Sequence, residues 1–124
     1  MGAGSERQLH SGRDRQTRGQ SLGLFLHAPH SLETKRFLHD AKKILTGIKG
    51  VTHFEQLRQV SPKNDYQFGF SMEFADQAAY TRYNEHPDHV AFVRDRWVPE
   101  VEAFLEIDYA PYGRQPINRP RPGG

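Results

Sequence analysis

An α+β domain, one four-stranded antiparallel sheet with helices on one face, is what the sequence predicts. Three observations carry it. Residues 66–74 alternate Tyr66, Phe68, Phe70, Met72 and Phe74 with Gln67, Gly69, Ser71 and Glu73, the period of two expected of a strand with one aromatic face. Residues 32–48 place Phe37, Leu38, Ala41, Ile44, Leu45 and Ile48 at steps of three and four, the period of one helix face. Pro87 splits a second helical stretch in two, because a proline inside a helix removes a hydrogen bond and clashes with the preceding turn.

The elements follow in order. Residues 22–27 read as a first strand, with Leu22, Leu24 and Leu26 on one face. Ser31 offers an N-cap oxygen to the first helix, whose outer side carries Lys35, Arg36, Asp40, Lys42 and Lys43 and whose end is marked by Gly47 and Gly50. Residues 51–60 read as a second strand, 61–65 as a turn cluster and 66–74 as the third strand. Asp76 can cap a helix over 77–85, and Pro87 suits the first turn of a separate helix over 87–97. Residues 104–109 close as a last strand, with Leu105, Ile107 and Tyr109 on one face.

Strand, helix, strand, strand, broken helix, strand is the ferredoxin-like order. The aromatic face of the third strand should meet the helices. The opposite face is expected to carry Gly69, Ser71 and Phe25 together with Glu73 and Glu106. It is neither solvent-like nor core-like, which leaves room for a second subunit to cover it.

At 124 residues the chain holds one domain, expected over residues 22–112. Residues 1–21 and 113–124 are expected to be disordered tails, since neither end has enough apolar surface to offset the entropy of ordering it. The tails carry seven Arg against Glu6 and Asp14, about +5, so the middle of the chain is about −3 although the net charge is +2. The basic character therefore lies outside the domain, which argues against nucleic acid as a partner. There is no Cys, which excludes a disulfide framework and a cysteine nucleophile, and no apolar run is long enough to span a bilayer. A cytoplasmic protein without a membrane partner is the expectation.

The chemistry concentrates in His86-Pro87-Asp88-His89 and the aromatic residues around it. On a helix over 87–98, His89, Phe92, Val93, Arg96 and Trp97 share a face, so His89 heads an apolar stripe. Tyr83 lies nearest the proline break on the preceding helix and is expected to converge with His89 at the rim of one pocket. A neutral imidazole beside a phenol can abstract a proton next to a carbonyl and steady the resulting enolate. The same spacing suits an imidazole satisfied by one internal hydrogen bond, and spacing alone leaves both readings open. Two His three apart, at 86 and 89 or at 27 and 30, can share a metal ion, but a proline interrupts each pair and no third ligand is evident. No phosphate-cradling loop, dinucleotide fingerprint or nucleophile elbow appears, and no cofactor is expected.

The segments Phe74-Ala75-Asp76-Gln77-Ala78-Ala79-Tyr80, Tyr83-Asn84-Glu85-His86-Pro87-Asp88-His89-Val90-Ala91-Phe92-Val93, Trp97-Val98-Pro99 and Ile107-Asp108-Tyr109 resemble the stress-responsive A/B barrel family. The resemblance covers roughly residues 22–110. It implies a homodimeric α+β barrel in which two four-stranded sheets face each other. It also implies a small-molecule pocket for an apolar carbonyl or aromatic ligand. A cofactor-free polyketide cyclase of that family performs an aldol condensation with a Tyr–His pair. Its spacing carries over to Tyr83 and His89 as catalytic residues, with Phe68, Phe70 and Phe92 as substrate-binding walls; Trp97 suits either the core or the same substrate-binding wall. Phe68 stands where that cyclase has a His. A non-catalytic stress-related or ligand-binding dimer, or a cofactor-free monooxygenase of the same architecture, would use the same scaffold.

Overall fold

A computed structural model describes residues 15–26 and 30–113. Four antiparallel strands, β1 (Arg18–Leu26), β2 (Thr52–Arg58), β3 (Phe68–Phe74) and β4 (Val101–Tyr109), form one sheet in the order β2-β3-β1-β4. Helix α1 (Leu32–Thr46) joins β1 to β2. Helices α2 (Gln77–Glu85) and α3 (Pro87–Phe92) follow β3. A π-helical turn (Val93–Trp97) and a last α-helical turn, α4 (Val98–Glu100), lead into β4. All the helices lie on one side of the sheet. None is long and apolar enough to cross a membrane among the described residues.

The helix starts are chemical. The Ser31 hydroxyl accepts from the Thr34 amide at 3.1 Å and the Asp76 carboxylate from the Ala79 amide at 2.8 Å, each satisfying a first-turn N–H that has no partner within its helix. At the far end of α1 the Gly47 amide donates to the Ile44 carbonyl, and Gly50 then adopts a φ of 102° to turn the chain towards β2. That left-handed conformation favours a residue without Cβ.

Leu24 and Leu26 of β1 and Phe70, Met72 and Phe74 of β3 face the helices and are buried against Phe37, Ala41 and Leu45 of α1. Phe37 is central: its ring lies 5.8 Å from Phe92 and 6.3 Å from Trp97. Above it, Arg96 donates to Asp40 of α1 and to Glu100, both at 2.7 Å, and its guanidinium lies over the Phe37 ring. The π turn has a local cause. Pro99 has no N–H for the Asp95 carbonyl, so the turn before it widens and the Val98 amide donates to Val93 instead.

Four sequence expectations are corrected. The first strand starts at Arg18, so residues 18–21, expected in the N-terminal tail, are ordered in β1 between β3 and β4. Their low hydrophobicity concealed them, because Gln20 is buried through hydrogen bonds instead of apolar contact. The third strand starts at Phe68 and not at Tyr66. The Gln67 side-chain carbonyl accepts from the Leu26 amide at 2.8 Å, and the Tyr66 ring packs onto Gly23 on the open face, where a Cβ would approach it to 3.3 Å. Glu106, expected on the open face, pairs with Leu22 and so projects towards the helices, whereas Leu105 and Ile107 project the other way. The last strand also begins earlier, at Val101. Residues 1–14 and 114–124 of the expected tails, and His27 of the second histidine pair, lie outside the described residues.

Phe37 is fully enclosed and joins α1 to both aromatic residues that follow Pro87. Phe37→Ala should therefore lose about 3–5 kcal/mol of stability, read as a lower urea midpoint at an unchanged slope.

Candidate active site

Pro87 ends α2. His86 adopts an extended conformation (φ −63°, ψ 136°), and its backbone N–H donates to the Tyr83 carbonyl. Its side chain starts α3, with Nδ1 accepting from the Asp88 amide at 3.0 Å. His86 is thus a capping residue for both helices. The turn carries His89 back over Tyr83, whose ring centroid lies 4.5 Å from that of the imidazole.

His89 Nδ1 lies 3.1 Å from the Asn84 carbonyl oxygen. A carbonyl only accepts, so in the neutral ring Nδ1 carries the hydrogen and Nε2 keeps its lone pair. Burial pushes the His89 pKa below its ordinary 6.5. The bond to Asn84 opposes this, and nearby His86 adds to it. Tyr83 is only 1% exposed, and its hydroxyl has no hydrogen-bond partner among the described residues. Burial raises its pKa well above the ordinary phenol value, and the neighbouring Tyr80 and Glu106 add to the rise. The phenol stays protonated.

Both side chains line a cavity of about 320 Å³ between the sheet and the residues after Pro87. That volume lies at the lower end of the range for small-ligand sites. Gln20, Asn84 and Glu106 supply its remaining polar wall, and Leu22, Phe92, Trp97 and Phe104 are the main apolar surfaces. The π turn contributes Val93 and Val98, which its five-residue spacing sets one above the other. Larger hollows, one beside Tyr109 and one beside Lys49 and Arg82, touch neither His89 nor Tyr83.

Of the residues expected from sequence, Tyr83, His89, Phe92 and Trp97 meet in this cavity. Phe68 and Phe70 do not line it. Phe70 is fully buried behind Trp97, 6.4 Å from it and 5.6 Å from Phe54, and Phe68 sits farther along β3 opposite Leu24. Their expected role as substrate walls is corrected. The β3 aromatic face is occupied by the helix α1 side of the core, and the hollow lies nearer β1 and β4. Three polar residues take part that were not expected as site residues: Gln20, Tyr80 and Glu106, the last expected on the open face. The Gln20 amide donates to the Tyr80 hydroxyl (2.9 Å) and Glu106 (3.1 Å), and that hydroxyl donates to Glu106 (3.2 Å). Burial, with the Asp108 and Glu106 carboxylates adding, pushes the Tyr80 pKa up to about 12. The available signal was phase: Gln20 is two residues before Leu22 and shares its face. Among the described residues no three His, Asp or Glu side chains gather as a metal site.

The model of the stress responsive A/B barrel domain matches residues 25–111. The chain belongs to that family. A crystal structure of a Dabb family protein with a ferredoxin-like fold from Mesorhizobium loti is 76% identical, with a TM-score of 0.76 over 78% of this chain and 98% of that one. The hydroxynitrile lyase from Passiflora edulis is 10% identical, with a TM-score of 0.71 over 82% of this chain and 99% of that one. A dimeric protein of unknown function from Bacteroides fragilis is 18% identical, with a TM-score of 0.59 over 78% of this chain and 98% of that one. The last two likenesses are of fold. No curated protein matches the chain.

The depressed His89 pKa has a defined consequence. The unfolded chain takes up a proton near pH 6.5 that the folded chain resists, so the stability tied to neutral His89 is present above 6.5 and is lost as pH falls through the lower folded value. A proton–nitrogen NMR titration of His89 should give a midpoint below 6.5. Replacing it with Gln should flatten the fall of urea midpoint with pH in that window.

Proposed function

We propose that this family member is a homodimeric, cofactor-independent catalyst of carbonyl chemistry, of the aldol or polyketide-cyclase type. One observation carries the reading: the Tyr83–His89 contact forms part of the wall of a mostly apolar cavity. Its Nδ1 held by Asn84, His89 has Nε2 as the base that removes a proton from carbon next to a carbonyl. The electron pair moves onto the carbonyl oxygen, where the protonated Tyr83 hydroxyl donates a hydrogen bond to the enolate. The enolate carbon then attacks a second carbonyl in the same chain. One carbon–carbon bond forms, and the imidazolium returns its proton to the new alkoxide. Phe92 and Trp97 supply the apolar walls that fold the substrate. The Passiflora edulis hydroxynitrile lyase, an enzyme of this fold, supports the fold's capacity for catalysis.

The open sheet face supports the dimer. Leu57, Leu105, Ile107 and Tyr109 project there and are 41 to 52% exposed in the single chain. Exposed apolar side chains of that kind on one sheet face mark an interaction site. The dimeric Bacteroides fragilis protein of this fold is consistent with a second copy as the occupant.

Two measurements test this reading. Purified protein should catalyse deuterium exchange into, or cyclisation of, a poly-β-keto ester. His89→Ala should lower the rate by about 10²–10⁴-fold and Tyr83→Phe should lower it too, with folding retained by circular dichroism. Unchanged activity in His89→Ala would exclude the base assignment. Sedimentation should show a dimer at micromolar concentration and a monomer for Ile107→Glu, which sets a charge on the open face. A monomeric wild type would exclude the barrel dimer.

A further inference from the structure

The Tyr83–His89 pair forms part of the cavity wall, and the same wall carries a carboxylate that the proton transfer leaves unused. Glu106 stands opposite Leu22 in the β1–β4 register, and that register turns its side chain to the helix side. Its Oε2 accepts from Gln20 Nε2 at 3.1 Å and from the Tyr80 hydroxyl at 3.2 Å. Gln20 is itself buried and is pinned by Tyr80 at 2.9 Å and Asp108 at 3.4 Å. Three elements, β1, α2 and β4, therefore fix Oε2 in place. Glu106 Oε1 has no hydrogen bond, and neither oxygen has a Lys or Arg partner, among the described residues.

A carboxylate in such a place has a definite chemical preference. It only accepts, so a ligand reaching Oε1 must bring an O–H or N–H donor. The rest of the wall around it is largely apolar, from Leu22, Phe104 and Trp97, and a second anion brought beside this carboxylate would be repelled with no cation among the described lining residues to offset it. Tyr80 and Gln20, already donating to Oε2, cannot turn to a ligand anion without leaving Glu106 unsatisfied.

We propose that Glu106 is the specificity-determining group of this cavity: it accepts a hydrogen bond from the hydroxyl of a neutral, mostly apolar substrate, a phenol or enol, and turns away carboxylates and phosphates. This rests on the reading of the cavity as the substrate site. It adds a substrate class to that reading, a carbonyl compound that carries a free hydroxyl and no negative charge. Glu106 acts here as a binding group and takes no part in moving the carbon-bound proton.

Trp97 is the chain's only tryptophan and lies in the cavity wall, so its fluorescence reports occupancy directly. The probes are para-butylphenol and para-butylbenzoate, which match in size and differ in the head group. Wild-type protein should bind the phenol about tenfold or more tighter than the benzoate. Glu106→Gln should bring the two to within about threefold, chiefly by strengthening benzoate binding. Glu106→Asp, which keeps the charge, should still disfavour the benzoate. Equal affinities in wild type, a preference that Glu106→Gln leaves intact, or no response of Trp97 to either probe overturns the inference. The outcome is separable from catalysis. Absent phenol preference with deuterium exchange intact overturns the Glu106 assignment alone. A preference retained in protein that shows no exchange upholds Glu106 and overturns only the catalytic role of His89.

Discussion

The missing N–H of Pro87 is the constraint on which the rest of this molecule depends. In an unbroken helix, residues six apart are rotated by about 240° and separated by about 9 Å along the axis, so Tyr83 and His89 would face different ways. Pro87 ends α2, His86 takes an extended conformation, and α3 starts afresh with a new direction. The two rings then meet at 4.5 Å. His86 makes the break inexpensive by satisfying groups on both sides of it, its amide on the Tyr83 carbonyl and its Nδ1 on the Asp88 amide. The two histidines of the motif thus have separate duties. One builds the corner and the other stands in the cavity that the corner creates.

A second proline completes the cavity. Pro99 leaves the Asp95 carbonyl without a regular partner, and the π turn over Val93–Trp97 absorbs the mismatch. The widened turn stacks Val98 above Val93 and keeps Trp97 against Phe37, Phe92 and Phe104. The cavity is consequently held between aromatic residues that pack on one another and a polar end fixed by Gln20, Tyr80 and Glu106. Packing and hydrogen bonding divide the site between them.

Much of the fold was legible because its signals are local. Alternation over Phe68–Phe74, the three-and-four spacing of α1, the caps Ser31 and Asp76 and the break at Pro87 each depend on neighbouring residues alone. The failures share a different origin. Arg18, Gly19, Gln20 and Ser21 look like tail, because a strand held by its neighbours' backbone needs no apolar side chains of its own. Tyr66 continues the aromatic alternation in sequence but leaves the sheet when the Gln67 side chain substitutes in the ladder. Phe68 and Phe70 have the right chemistry for a ligand wall, yet Phe54 and Trp97 pack against the fully buried Phe70, and the partly buried Phe68 sits farther along β3 opposite Leu24.

The sequence by itself determined the element order and the proximity of Tyr83 to His89, which follow from periodicity, capping and a proline whose geometry is covalent, while its motif segments carried the resemblance to the family. Which face of β4 looks inward was decided by strand register: pairing Leu22 with Glu106 turns that carboxylate to the helix side of the sheet, at the exposed edge of the cavity, and leaves Leu105, Ile107 and Tyr109 on the other side. Alternation in a strand defines two faces without saying which is which, and only the partner strand breaks that symmetry. The same holds for the cavity. Its volume is what remains after Phe37, Phe70 and Trp97 have packed, a property of side chains distant in sequence and adjacent in space.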